Sequence, residues 1–323
     1  MSISNFPGGF KDGVTIKGVP LTITNPGEVF FVSNADVLLD KNQSIAGADS
    51  TSPSNGTFQR PFRTIDFAIG RCVASRGDVI FVLPGHEETI TTDGGIACDV
   101  AGVSIIGIGS GALRPKVVLD TAAAAAVTVS AANVTLMNLV LEASFADITN
   151  AIDVTAANLS ILNCEFAEEG ADLNFVDYIN ASSTTDNAAD GLHVEGCVST
   201  GIDAAIDSFI VTAADLDRLV VKDCVVNHLN ANALHLVEAL TGKDLTNVLI
   251  DGNRYATLAA ASFVAISADT TTANTGFVSN NRFMSRDIAG ELVATAGTNF
   301  SFTENYSASV IDTSGYLLPA ADS

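Results

Sequence analysis

The chain has 323 residues, 47% of them hydrophobic and only 16% charged, so it can hold one large or two ordinary domains behind a surface rich in Ser, Thr, Asn, Gly and Ala. Its 37 acidic and 15 basic residues leave a net charge of -22, which argues against a nucleic-acid partner, because phosphate-binding faces need clustered Lys and Arg. No run approaches the roughly 18 apolar residues of a membrane span, and MSISNFPGGFKDG lacks the basic start and apolar core of a leader, so neither anchoring nor host secretion is expected.

Residues 1–48 read as an arm rich in Gly and turn signals, with strands expected in VTIKGV, LTIT and EVFFVSN. A polar loop, DSTSPSNGTFQR, opens the segment 49–78. Phe62, Ile65, Ala68, Ile69 and Val73 then fit a short amphipathic helix stopped by Gly77. Such a helix would cap the open end of a repeat array, where unpaired strand edges must be covered. GDVIFVLPG follows as the first full strand.

From residue 79 to about 310 the chain repeats itself. Val134, Leu136, Asn138, Leu139 and Leu141 set a template of apolar, apolar, bend residue, inward residue, apolar. It recurs with its inward residue at 108, 139, 164, 197, 224, 253, 281 and 305, gaps of 31, 25, 33, 27, 29, 28 and 24 residues. A second apolar pulse precedes most of these units: VTV at Val127, IDV at Ile152, FIV at Phe209, LHL at Leu234, FVAI at Phe263 and LVA at Leu292. Both pulses have period 2, and no unit carries a competing helical stripe. The expected fold is all-β, a single-stranded right-handed parallel β-helix of about eight to nine coils, with residues 311–323 as a C-terminal tail. Tyr316, Leu317 and Leu318 suggest that this tail docks against a coil or a neighbour. A leucine-rich repeat fits poorly: later units lose LxxLxL, and a strand pulse stands where a helix should lie.

Column chemistry supports the solenoid. The bend column holds Gly107, Asn138, Asn163, Gly196, Asp223, Gly252 and Asn280, types that tolerate a left-handed corner, with Glu304 as the exception. The next column runs Ile108, Leu139, then three thiols, Cys164, Cys197 and Cys224, then three amides, Asn253, Asn281 and Asn305. Like residues stacked along a solenoid can interdigitate or bond to their own copies. With Cys72 and Cys98 the cysteines number five and form no CxxC pair, so they read as reduced structural thiols without a basic neighbour to activate them.

Catalytic chemistry is weakly signalled. An inverting polysaccharide hydrolase of this fold needs paired Asp residues, a GHG turn and an RxK element. The chain has no adjacent Asp pair and no GHG, and Arg114–Pro115–Lys116 precedes the central coils. His86, Glu87 and Glu88 in PGHEET read as a solvated corner. Glu168, Glu169, Asp172 and Asp177 read as a solvated acidic loop, with loose Ca²⁺ binding as the rival. His193, His228 and His235 have no metal-ligand spacing. No catalytic residue, metal or cofactor is expected.

The segments GVTIKGVPLTITNPGEVFFV, RPFRTIDFAIGRC, GDVIFVLPGHEETI and ENYSASVIDTSGYLLPAAD resemble β-helical, pectin-lyase-like virion structural proteins of tailed bacteriophages, of the capsid decoration type. The resemblance runs nearly end to end. It implies a non-enzymatic homotrimer on the outside of an icosahedral head, stabilising contacts between copies of the major capsid protein, with the arm providing much of the attachment. The alternative is a tail spike or fibre that binds or cleaves host surface polysaccharide.

Overall fold

The computed structural model describes residues 27–309 except 35–37, 41–42, 45–46, 171, 202–205, 229–234, 258–263, 269–273, 286–291 and 295–298, together with the strands Thr15–Ile16, Val19–Pro20 and Tyr316–Leu318. It is an all-β parallel solenoid with three long sheets. Sheet one has ten strands, from Val29–Val32 to Asn299–Thr303. Sheet two also has ten, from Glu87–Ile90 to Tyr316–Leu318, and sheet three has eight, from Asp93–Cys98 to Leu292–Ala294. The chain visits the sheets in turn: Thr135–Met137 in sheet one, Val140–Ala143 in sheet two, Ile148–Val154 in sheet three, then Ser160–Leu162 in sheet one again. The sequence template therefore covers two strands flanking a corner, and the second apolar pulse is the third strand.

The corner between sheets one and two is left-handed at Asn138, Asn163, Gly196, Asp223, Gly252, Asn280 and also Glu304, with φ between 51° and 70°. Gly107 differs. Its φ is not positive, and a β-carbon there would collide with the Asn138 carbonyl, so close approach explains this glycine. The following residue, Ile108, is 38% exposed, and the buried column begins only at Leu139.

A second left-handed column went unread in the sequence. Asn133, Asn158, Gly191, Arg218 and Asn247 all have positive φ, each five positions before a corner residue (133 and 138, 158 and 163, 191 and 196, 218 and 223, 247 and 252). Sheet one is thus bracketed by two sharp turns per coil, which is why its strands are only three or four residues long there. Both Asn residues of AANVTLMN and of AANLSILN are such corners.

Inward side chains form one apolar cluster running along the axis. On sheet one its column is Ile80, Ile105, Leu136, Ile161, Val194, Val221, Ile250 and Val278 in successive registered strands. Phe166, Tyr178 and Phe209 fill the middle, with Phe166 meeting both of the others edge-on.

At the N-terminal end, Val29–Val32 pairs in parallel with Val79–Val82, so part of the stretch read as an arm forms a rung of sheet one. Buried Asp78 ties it down: its carboxylate accepts from the backbone N–H of Glu28 and Val73 and from the Arg76 guanidinium. The helix is Ile65–Ile69, capped by the Thr64 side chain accepting from Phe67 N–H, and it buries Ile65, Ala68 and Ile69 against sheets one and three. It ends at Gly70, well before Gly77, and Val73 is exposed instead of joining the apolar face. At the other end, Tyr316–Leu318 pairs antiparallel with Asn305–Ser309, covering the edge strand of sheet two.

Candidate functional site

The corner column answers a hydrogen-bonding problem. At each coil the thiol or amide approaches the backbone carbonyl of the inward residue one coil back. Cys164 Sγ lies 3.7 Å from Leu136 O, Cys197 Sγ 3.5 Å from Ile161 O and Cys224 Sγ 3.7 Å from Val194 O. Asn253 Nδ2 donates to Val221 O at 2.8 Å, Asn281 Nδ2 to Ile250 O at 2.8 Å and Asn305 Nδ2 to Val278 O at 2.6 Å. The six carbonyls belong to six successive strands of sheet one. The amides also bond to each other, since Asn253 N–H and Nδ2 both donate to Asn281 Oδ1, and Asn281 does the same to Asn305. All three are fully buried, and each buried amide finds its partners in the neighbouring coils of the column. Burial pushes the Cys164 thiol up to about 11, and the hydrogen bond between Cys197 and Cys224 raises the first and lowers the second; all three side chains are sealed in the core, which suits packing.

PGHEET is not a solvated corner throughout. His86 and Glu88 are buried, and Nε2 of His86 lies 3.1 Å from Glu88 Oε2. Nδ1 accepts from Asn34 N–H, so Nε2 carries the proton, and Glu88 Oε2 also accepts from Ile65 N–H at the start of the helix. The pair locks the first coil to the helix; of the three ionisable residues only Glu87 faces solvent. Arg114 bridges coils through Glu165 and the carbonyls of Leu139 and Asn163, and Lys116 pairs with Glu142 at 3.0 Å. His193 pairs with Glu195 on the outer face.

The acidic loop divides. Glu168 accepts from the Tyr178 hydroxyl, Glu169 accepts from Ser144 and Asp172 is exposed. Asp177 lies on sheet three, in register with Ser208 and then His235. One imidazole nitrogen of His235 and one carboxylate oxygen each from Asp207 and Glu238 lie within 4.8 Å of one another. Ser208 links the group, its N–H donating to Asp177 Oδ1 at 3.1 Å and its hydroxyl to Glu238 Oε2 at 2.7 Å. Burial, with the charges of Asp207 and Glu238, pushes Asp177 up to about 7. Burial and Glu238 likewise raise Asp207, opposed by His235. His235 Nδ1 lies 2.7 Å from the Val264 carbonyl, which requires the proton on Nδ1 and leaves the lone pair on Nε2.

The sequence hid this group because sheet three departs from strict alternation. Tyr178–Ile179, Phe209–Ile210, Leu236–Val237 and Ala265–Ile266 are pairs of successive buried residues. A period of 2 would put His235 and Glu238, three apart, on opposite faces; the double inward step lets them converge.

Sheet one carries a different outer surface. Phe31, Phe81, Ile106, Met137 and Leu162 are registered neighbours on five successive strands, all on the face away from the core and all half-buried. At about 4.8 Å per strand the stripe is roughly 19 Å long. Phe58 packs edge-on to Phe31 with its ring 5.5 Å away and extends the stripe at its N-terminal end. The next registered positions are Glu195, Lys222 and Asp251, so the apolar stripe stops where charge begins.

No protein-family model and no curated protein matches the chain.

Proposed function

We propose that this protein is a non-enzymatic structural component of a phage virion, a capsid decoration protein that sits as a homotrimer on the capsid exterior and binds the major capsid protein. The capsid assignment rests on the resemblance of its terminal and helix-to-first-strand segments. The observation that carries the assembly half is the outward column Phe31, Phe81, Ile106, Met137 and Leu162. A contiguous apolar stripe on the outer face of a chain with a net charge of -22 is what a protein interface leaves exposed in a single chain. Three parallel solenoids meeting along such stripes would bury it and keep the carboxylates outside.

Sedimentation equilibrium tests this. The 33.3 kDa chain is expected to sediment as a trimer, about three times that mass, and Phe81→Glu with Met137→Glu to give a folded monomer. A monomeric wild type, or a trimer unmoved by the double substitution, contradicts the interface.

The carboxylates of sheet three favour a second reading, a tail spike or fibre acting on polysaccharide. Asp207 and Glu238 approach within 4.8 Å, close to the roughly 5–5.5 Å carboxyl separation of retaining glycosidases. Release of reducing sugar from host polysaccharide by the purified protein would decide for it.

A further inference from the structure

We propose that Asp207, His235 and Glu238 form a binding site for a first-row divalent cation of the Zn²⁺ type on the outer side of sheet three. The inference is independent of the virion reading, and either can fail alone.

The donor set is one imidazole nitrogen and two carboxylate oxygens, all within 4.8 Å of one another. Around a single tetrahedral ion at about 2.0–2.2 Å from each ligand, such atoms stand roughly 3.4 Å apart, so side-chain rotation closing the group by about 1 Å would bring all three onto one ion, with water as the fourth ligand. An imidazole among carboxylates selects zinc or a neighbouring transition metal over Ca²⁺ or Mg²⁺, which take oxygen-only shells.

The surrounding structure prepares two of the three ligands. The Val264 carbonyl, outside the group, holds the proton on His235 Nδ1, leaving the free lone pair on Nε2. This carbonyl-to-imidazole tie is the outer-shell contact that fixes metal-bound histidines. Ser208 Oγ orients Glu238 by donating to one of its oxygens.

Charge points the same way. Between residues 177 and 267 the basic residues are Arg218, Lys222, Lys243 and Arg254. The first three pair with Asp217, with Glu195 and Asp223, and with Asp186. Arg254 lies on sheet two between Val225 and Arg282. Among the described residues, therefore, no Lys or Arg neutralises the half-buried carboxylates of Asp207 and Glu238, and a cation would supply what the chain omits.

The full chain, stripped with a chelator, is titrated calorimetrically with ZnCl₂ and with CaCl₂. One Zn²⁺ per chain is expected, bound at least tenfold more tightly than Ca²⁺. His235→Ala and Asp207→Asn are each expected to weaken it at least tenfold, and His193→Ala to leave it unchanged. Absence of binding, Ca²⁺ bound as tightly as Zn²⁺, or a His235→Ala titration equal to wild type overturns the site. Zinc-edge X-ray absorption of the wild type, which requires no variant to fold, is expected to show one imidazole with carboxylate oxygens; a shell without imidazole overturns it too.

Discussion

Each buried Asn of the corner column serves two coils, donating to a carbonyl behind it and accepting from the coil before. Asn281 Nδ2 satisfies Ile250 O while its Oδ1 accepts from Asn253 N–H. Asn281→Leu keeps the volume but strands the Asn253 N–H in the core and takes a second donor from Ile250 O, at about 1–3 kcal/mol for the stranded group. A loss of about 2–4 kcal/mol in urea unfolding is expected, whereas Cys197→Ala, losing only weak thiol bonds and a small volume, is expected to cost less. His228 offers a pH test. It is fully buried, stacked on Tyr178 at 5.2 Å and edge-on to Tyr255, and neither ring nitrogen has a hydrogen-bond partner among the described residues. Burial lowers it to about 3. The folded protein holds it neutral while the unfolded chain takes up a proton below about 6.5, so stability falls as pH drops from about 6.5 to 3, by up to about 1.4 kcal/mol per pH unit. The difference in unfolding free energy between wild type and His228→Leu, followed over that window, is expected to shift against wild type at acid pH; a constant difference would show that the buried ring does not titrate this way. The corner residues could be read from the sequence because their chemistry repeats. His86 and Glu88 could not, because their partners Asn34 and Ile65 are distant in sequence and no local pattern announces the pair.

Sheet one is set by its two left-handed brackets, and the substitutions that test it are the corner glycines. Gly252 has φ 70°, and a β-carbon there would collide with Asp223 Oδ1 from the preceding coil. Gly252→Ala therefore combines an unfavourable backbone region with displacement of a neighbouring side chain, and a loss of about 1–2 kcal/mol in thermal or chemical unfolding is expected. Gly252→Asn, the residue type at Asn138 and Asn163, is expected to differ by showing the collision with less backbone strain. The first bracket was legible in principle: Asn133, Asn158 and Gly191 stand five residues before Asn138, Asn163 and Gly196, but Arg218 in that column breaks the compositional pattern. Sheet three was less legible. Its repeated double inward steps, such as Leu236–Val237, defeat a period-2 reading, and they are what gathers Asp177, Ser208, His235 and Glu238 on one side. Val29–Val32 reads as a strand in the sequence, but its place in sheet one depends on Asp78, whose bond to the Glu28 N–H fifty residues away has no local signature.

Along the whole molecule the apolar stripe and the charge oppose each other. A net charge of -22 per chain repels copies of itself, while in the proposed trimer Phe31, Phe81, Ile106, Met137 and Leu162 would hold them together along one face. Raising the salt concentration screens the first and leaves the second, so the proposed trimer is expected to tighten with salt, and weakening with salt would argue for ionic contacts instead. Whether such a trimer belongs to a capsid depends on where it sits. Electron cryomicroscopy of the intact particle that carries this chain is the most direct measurement: threefold solenoid density on the exterior of the head is expected, and density for the chain on the tail, with the head surface bare of it, would contradict the decoration role.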